Sequence, residues 1–280
     1  MWAGLTEARE KSCQKAALLK NTPMNNLDLF RKKLADGKLC IGMAIDMSDP
    51  RVSEMIGELG YDWSFIDMEH SMLDLRAVEG HLMASRARET APIIRVHSSD
   101  PVLMKRILDL YPAGIIVPQI RSAAEARRAI DASLYPPRGE RGYGPIRGVR
   151  YGLESQEDYL ANFDLFRVVQ IEHTGAVAEL DAILEIDALD GVIIGPNDLS
   201  GSMGKLGQTD DPEVVAVIDE VSKKVIDSGK YLGSSTGFSE TGLKRWLDRG
   251  ASFISLEGDI WNLCEASRKV LNAARVLGDA

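Results

Sequence analysis

Two carboxylates in this chain each follow a short apolar run, one strand–helix unit apart. Glu172 closes Val168-Val169-Gln170-Ile171-Glu172, and Asp198 closes Val192-Ile193-Ile194-Gly195-Pro196-Asn197-Asp198. A carboxylate at the end of a buried strand is costly unless something positive meets it. Side by side in one sheet, the two would seat a hard divalent cation. All-oxygen ligation by few protein groups favours Mg²⁺ or Mn²⁺, with water and substrate completing the shell. A carboxylate paired with arginine, or capping a helix, is the open alternative.

His70 and Arg95 add to this set. Asp67 lies three residues before His70, at the end of another apolar run. A carboxylate bonded to one ring nitrogen fixes the tautomer and leaves the other nitrogen as a base. A purely structural hydrogen bond is the alternative. Arg95 sits inside Ile93-Ile94-Arg95-Val96. A guanidinium there must meet an anion or several carbonyls, so it binds a substrate oxyanion or closes a salt bridge to a neighbouring carboxylate. The other histidines, His81, His97 and His173, read as partly exposed residues without a role. Met104 and Trp246 read as packing residues on helices.

Eight short apolar runs must position these groups: residues 39–45, 63–67, 92–96, 114–118, 167–171, 191–194, 231–234 and 252–256. They are apolar almost continuously, as buried parallel strands are. Helical patterns lie between them. Asp100-Pro101 and Asp211-Pro212 can each cap and open a helix. Gly229 and Gly250 can each end one in a left-handed cap. Eight strands alternating with helices is the count of a (β/α)₈ barrel, an α/β fold. An open doubly wound sheet is the runner-up, but no glycine-rich dinucleotide turn follows the first strand. In a barrel, chemistry sits where strands end. Those ends form a polar ring: Asp67, Glu69 and His70, then Arg95, Gln119, Gln170 with Glu172, Asn197 with Asp198, Ser234-Ser235, and Glu257 with Asp259. A long connection from Tyr135 to Tyr151 carries four arginines. It suits a lid over an anionic ligand, or a subunit contact.

With 280 residues, 45% hydrophobic, the chain fits one large barrel domain over residues 27–280. Residues 1–26 read as an N-terminal extension, with a short polar-faced helix expected over Leu5–Lys20. A net charge of −9 argues against nucleic-acid or anionic-membrane binding. No run approaches the roughly 20 apolar residues that span a bilayer. The three cysteines are widely separated, as in a cytoplasmic protein with reduced thiols.

Several segments then match in order: residues 65–70, Ile94-Arg95-Val96 with Asp100-Pro101, Leu108-Asp109, Tyr135-Pro136-Pro137 with Arg141-Gly142, Val169-Gln170-Ile171-Glu172, and residues 194–200. Together they resemble the class II pyruvate aldolases of the HpcH/HpaI family, over about residues 27–275. The resemblance implies a (β/α)₈ barrel of the phosphoenolpyruvate/pyruvate type. It implies a homohexamer, a trimer of dimers, in which the last helix is exchanged between neighbours. It places divalent-metal ligands at Glu172 and Asp198, for Mg²⁺ or Mn²⁺ with Co²⁺ as a further option. It places pyruvate binding at Gln170 and at the amides near Asn197 and Asp198. His70 with Asp67 falls on the catalytic base, Arg95 on the arginine beside the pyruvate oxygen, and Asp109 on an aspartate donated by the adjacent subunit. The implied reaction cleaves or forms a 4-hydroxy-2-oxoacid from pyruvate and an aldehyde, through an enolate stabilised by the metal. Gln119 and the Ser234-Ser235 pair depart from the family's usual apolar residues, which points to a polar, hydroxylated aldehyde contacting Gln119 and Ser235. A citrate-lyase-β-like CoA-thioester lyase is the nearest alternative. A phosphosugar enzyme using Gly233-Ser234-Ser235-Thr236-Gly237 as a cradle is a further one, and a non-catalytic scaffold the last.

Overall fold

The computed structural model describes residues 24–278. The helix expected over Leu5–Lys20 lies outside them. Eight parallel strands close into a barrel in sequence order. They are β1 (Cys40–Ile45), β2 (Trp63–Asp67), β3 (Ala91–Arg95), β4 (Gly114–Ile120), β5 (Phe166–Ile171), β6 (Gly191–Ile194), β7 (Tyr231–Thr236) and β8 (Phe253–Gly258). Closure rules out the open doubly wound sheet.

The strands have two apolar faces because each side chain meets a different layer. Trp63, Phe65, Ile93, Ile116, Phe166, Val168, Ile193 and Phe253 fill the interior. The residues between them, such as Ile66, Ile94, Val117 and Val169, pack outward against the helices. Helix α1 (Leu27–Ala35) plugs the bottom with Leu27, Phe30 and Leu34. Phe30 meets Phe166 edge-on at 5.2 Å between ring centroids, so the plug joins the interior aromatic cluster. Gly42 makes room for that cluster, since a Cβ there would lie 2.4 Å from the Trp63 ring.

The outer layer runs α2 (Arg51–Leu59), α3 (Leu75–Arg86), α4 (Pro101–Asp109), α5 (Ala123–Asp131), α6 (Gln156–Asn162), α7 (Thr174–Ala178), α8 (Leu180–Leu184), α9 (Pro196–Ser202), α10 (Pro212–Asp227), α11 (Glu240–Asp248) and α12 (Asp259–Gly278). Asp100 caps α4 through the Val102 N–H, and Asp211 caps α10 through the Glu213 N–H. Gly229 and Gly250 adopt left-handed φ of 76° and 88°, as their positions after helices require. Met104 and Trp246 are buried packing residues. Among the described residues no helix is long and apolar enough to cross a membrane.

Two strands carry one extra residue at the rim. Between Val117 and Ile120 the β4 register slips against β5, and between Ser255 and Gly258 β8 slips against β1. The left-handed residues in these bulges are Gln119 (φ 57°) and Glu257 (φ 58°).

Two expectations fail. His81 is not partly exposed but fully buried, and it is a strut. Its Nδ1 lies 2.9 Å from Ser53 Oγ and its Nε2 2.9 Å from the Met47 carbonyl oxygen. Burial lowers its pKa below the ordinary histidine value. The four arginines of the 135–151 connection do not all face a ligand or a partner either, because two of them are used inside the fold. Arg141 is buried, stacked on Tyr135 and Phe163, and paired with Asp109 at 3.1 Å. Arg147 is buried too and donates to the carbonyls of Leu82, Leu110 and Tyr111. Both fasten the loop to α3 and α4.

Candidate active site

Glu172 follows β5 on the inner face, two residues beyond Gln170, and both are buried. Its two oxygens are held separately. Oε1 accepts the backbone N–H of Gln119, and Oε2 accepts the side-chain amide of Gln170. The β4 bulge presents that N–H, which is why a left-handed residue stands at 119. Burial raises the Glu172 pKa, opposed by these two hydrogen bonds and reinforced by the charges of Glu69 and Asp198. Gly195 lies against the same group, and a Cβ there would come 2.8 Å from Glu172 Oε2. The Gly195-Pro196 step can therefore turn into α9 directly over the carboxylate. Asp198 stands exposed in the first turn of α9, with no hydrogen-bond partner for its carboxylate among the described residues. Together they line a cleft of about 300 Å³ with Gln119, Arg121 and His173.

Arg95 ends β3 directly beside Asp67, its register partner at the end of β2. The pair is bidentate: Nε to Oδ1 at 2.9 Å and Nη2 to Oδ2 at 2.6 Å. Nη1 reaches Glu69 Oε2 at 3.1 Å. Burial raises the Asp67 pKa, but the Arg95 hydrogen bonds and charge, with the amides of Glu69 and His70, leave it below the ordinary range. The expected bond from Asp67 to the His70 ring does not form. Arg95 occupies the carboxylate, and His70 contributes only its backbone N–H at 3.4 Å. The His70 side chain is 63% exposed, with Nε2 3.8 Å from Glu69 Oε2. The alternative reading of Arg95, a salt bridge to a ring carboxylate, is therefore realised.

Glu69 was in plain view in the sequence and its role was missed. It joins both halves of the site, since its Oε1 also accepts from Gln119 Nε2 at 3.1 Å. Asp46 was missed as well, and Asp259, placed in the ring, serves by holding the Asp46 and Met47 N–H groups. Asp46 follows the apolar run of β1 as Glu172 follows that of β5, so the same criterion finds it. Asp109 is not at this site within one chain. It ends α4, pairs with Arg141, and lines a separate cleft of about 850 Å³ with Met68 and His97. Asn197 is exposed beside Asp198, and Ser235 lies on β7 across the barrel from β3.

The residues present fit a hard cation. Glu172 is buried in the negative field of Glu69 and Asp198, and Asp198 lacks a partner. Among the described residues no three His, Cys, Asp or Glu side chains form a closed cage. Two carboxylates leave the remaining positions to water and substrate, as Mg²⁺-type sites do.

A polar ring of carboxylates, amides and one arginine at the C-terminal strand ends defines a (β/α)₈-barrel enzyme. The HpcH/HpaI aldolase/citrate lyase profile matches residues 41–266. A hydroxypyruvate/pyruvate aldolase of Roseobacter denitrificans is 36% identical over 87% of this chain and 96% of its own length. A 4-hydroxy-2-oxo-heptane-1,7-dioate aldolase of Escherichia coli is 35% identical over 85% of this chain and 91% of its own. The crystal structure of a family protein from Burkholderia cenocepacia superposes with a TM-score of 0.81 at 28% identity, covering 87% of this chain and 98% of that one. The chain belongs to the HpcH/HpaI aldolase/citrate lyase family, and its class of chemistry is carbon–carbon bond lysis of the aldolase type.

Proposed function

We propose that the protein is a divalent-metal-dependent aldolase that cleaves or forms 4-hydroxy-2-oxoacids, with pyruvate as one product or substrate. The observation that carries this is Glu172, buried with both oxygens oriented by Gln119 and Gln170 and facing the unpartnered Asp198. Glu172 and Asp198 would hold Mg²⁺, Mn²⁺ or Co²⁺, which supplies Lewis-acid polarisation of the oxoacid carbonyl when bound.

The chain's own groups do the rest. Gln170 and the backbone amides of Asn197 and Asp198 bind the oxoacid carboxylate. Arg95, with its fork fixed by Asp67 and Glu69, places positive charge beside the C2 oxygen. In cleavage His70, exposed at the mouth, takes the proton of the C4 hydroxyl through water. The C4 oxygen's pair forms the aldehyde carbonyl as the C3–C4 bond breaks; that bond's pair becomes the C2–C3 double bond, the C2 carbonyl pair moves onto its oxygen, and the aldehyde leaves. A proton returned to C3 completes pyruvate. Asp67 acts through Arg95 rather than through His70. We read Asp109 as donated to the site of a neighbouring copy in the assembled protein. Ser235 contacts the aldehyde, while Gln119 is held in the Glu69–Glu172 network.

We also read the protein as a homo-oligomer, a hexamer in which α12 exchanges between neighbours. Along α12 only Asp259 is buried, while Trp261, Leu263, Val270 and Leu277 are all exposed, which supports a partner covering that helix. The free thiols Cys40 and Cys264 support a cytoplasmic setting. The CoA-thioester alternative is weaker, because Arg141 and Arg147 are spent inside the fold. The phosphosugar cradle is weaker too, because Ser234 is fully buried.

The test offers chelator-stripped protein a panel of 4-hydroxy-2-oxoacids and follows pyruvate release with and without Mg²⁺ or Mn²⁺. Metal-restored release is the expected result. Equal release without metal overturns the mechanism, and wild-type activity in Glu172→Ala or Asp198→Ala overturns the site.

A further inference from the structure

The mouth has a second wall, from β7 through β8 to β1. Strand alternation places Ser235 and Ser255 on the inner surface, because Ser255 lies two residues beyond the interior Phe253. The two serines are register partners, and Ser255 also pairs with Gly42 of β1. Ser255 is fully buried, and its Oγ has no hydrogen-bond partner among the described residues. A buried hydroxyl left in this state is an unmet demand that a ligand hydroxyl, or a water ordered by one, can satisfy.

Asp46 continues the inner face of β1 beyond Ala44. Its backbone is fixed, because the Asp259 carboxylate accepts the N–H groups of Asp46 and Met47 at 3.1 and 2.9 Å. Its own carboxylate is half-buried and makes no hydrogen bond or ion pair among the described residues. Glu257 in the β8 bulge adds a second negative charge, with one oxygen accepting the Phe238 N–H. Residues 42–47, 231–238 and 253–259 contain no lysine, arginine or histidine. The nearest buried cation, Arg95, is committed to Asp67 and Glu69.

We propose that this wall is the subsite for the aldehyde half, selected by Asp46 and Ser255 together with Ser235, and that the aldehyde it takes is uncharged and hydroxylated. This rests on the aldolase reading above. Free carboxylate oxygens and serine hydroxyls accept hydrogen bonds from a polyol chain. A ligand carboxylate placed here meets the like charges of Asp46 and Glu257; the cationic groups that act on Asp46 are Arg95, already paired with Asp67 and Glu69, and the exposed His70, so the wall disfavours it.

Two measurements on the full-length, Mn²⁺-supplied protein separate the two readings. Deuterium incorporation into the pyruvate methyl group, followed by proton NMR in D₂O, reports the pyruvate half without any aldehyde. Aldol addition to glycolaldehyde and to succinic semialdehyde reports the second half. The expected result is deuteration together with a kcat/KM for glycolaldehyde at least about tenfold above that for succinic semialdehyde. Absence of both deuteration and adduct overturns the aldolase reading and this one with it. Deuteration with equal use of the two aldehydes, or preference for the carboxylated one, overturns the subsite alone. In Asp46→Asn the ratio is expected to shift about tenfold toward succinic semialdehyde, and in Ser255→Ala the KM for glycolaldehyde rises about fivefold. A ratio unchanged in Asp46→Asn and a KM unchanged in Ser255→Ala, in variants that melt like the wild type, overturn the assignment of these residues.

Discussion

Gln119 and Glu257 are both left-handed residues in a strand bulge at the rim, and the two walls they belong to are built differently. At β4 the bulge turns the backbone N–H of Gln119 onto Glu172, and the Gln119 side chain onto Glu69. That wall is a closed network in which Arg95, Asp67, Glu69, Gln119, Gln170 and Glu172 hold one another. At β8 the bulge turns Glu257 toward the β7–α11 loop, and behind it the Ser255 hydroxyl and the Asp46 carboxylate have no hydrogen-bond partner among the described residues. One wall is rigid before any ligand arrives. The other keeps hydrogen-bonding capacity in reserve. Preorganisation suits the half of the substrate where charge develops, since fixed donors need not reorganise during reaction. Unspent capacity suits the half that is only recognised.

The contrast breaks most visibly on the first wall. Glu172→Ala is expected to lower kcat for pyruvate release by on the order of 10³-fold and to abolish Mn²⁺ binding measured by calorimetry. Equal Mn²⁺ affinity in the variant would remove Glu172 from the metal seat. Arg95→Lys keeps the charge but loses the fork that grips Asp67 and spans to Glu69, so kcat should fall about 10²-fold. Loss confined to KM would mean that Arg95 only binds substrate. Ser235→Ala, on the second wall, should raise the aldehyde KM about fivefold and leave deuteration of pyruvate within about twofold. A matching loss in both assays would show that the walls are not separable.

The smallest effect concerns acid stability. The folded pKa of Asp67 lies below its ordinary value despite burial, because Arg95 stabilises the charged form. Its contribution is present above the unfolded carboxylate pKa of about 3.9 and is lost as pH falls through the lowered folded value. Melting temperature should therefore fall more steeply between about pH 4 and pH 2 in the wild type than in Asp67→Asn. Parallel curves would show that the pair carries no linkage.

The barrel was legible because both-face burial writes each parallel strand as a continuous apolar run. β2 and β6 fall on the residues expected, and the other strands shift by one or two at their ends. The carboxylates at strand ends were legible by the same logic, since a charge next to an apolar run needs a reason. The partnership between them was not. Asp67 and Arg95 are 28 residues apart, and only the β2–β3 register sets them side by side. His70, three residues from Asp67, was the nearer guess in sequence and the wrong one in space. The bulges were hidden for a different reason. Glutamine and glutamate carry no turn signal, and their left-handed backbone is imposed by the hydrogen bonds that the bulge makes.

Asp259 joins two parts of the molecule that sequence order separates widely. It is the first residue of α12, the long helix whose apolar side chains lie uncovered, and it also grips the peptide that presents Asp46. The helix and the rim of the mouth are thus mechanically in series through one carboxylate. The seating of the helix therefore bears directly on where Asp46 stands.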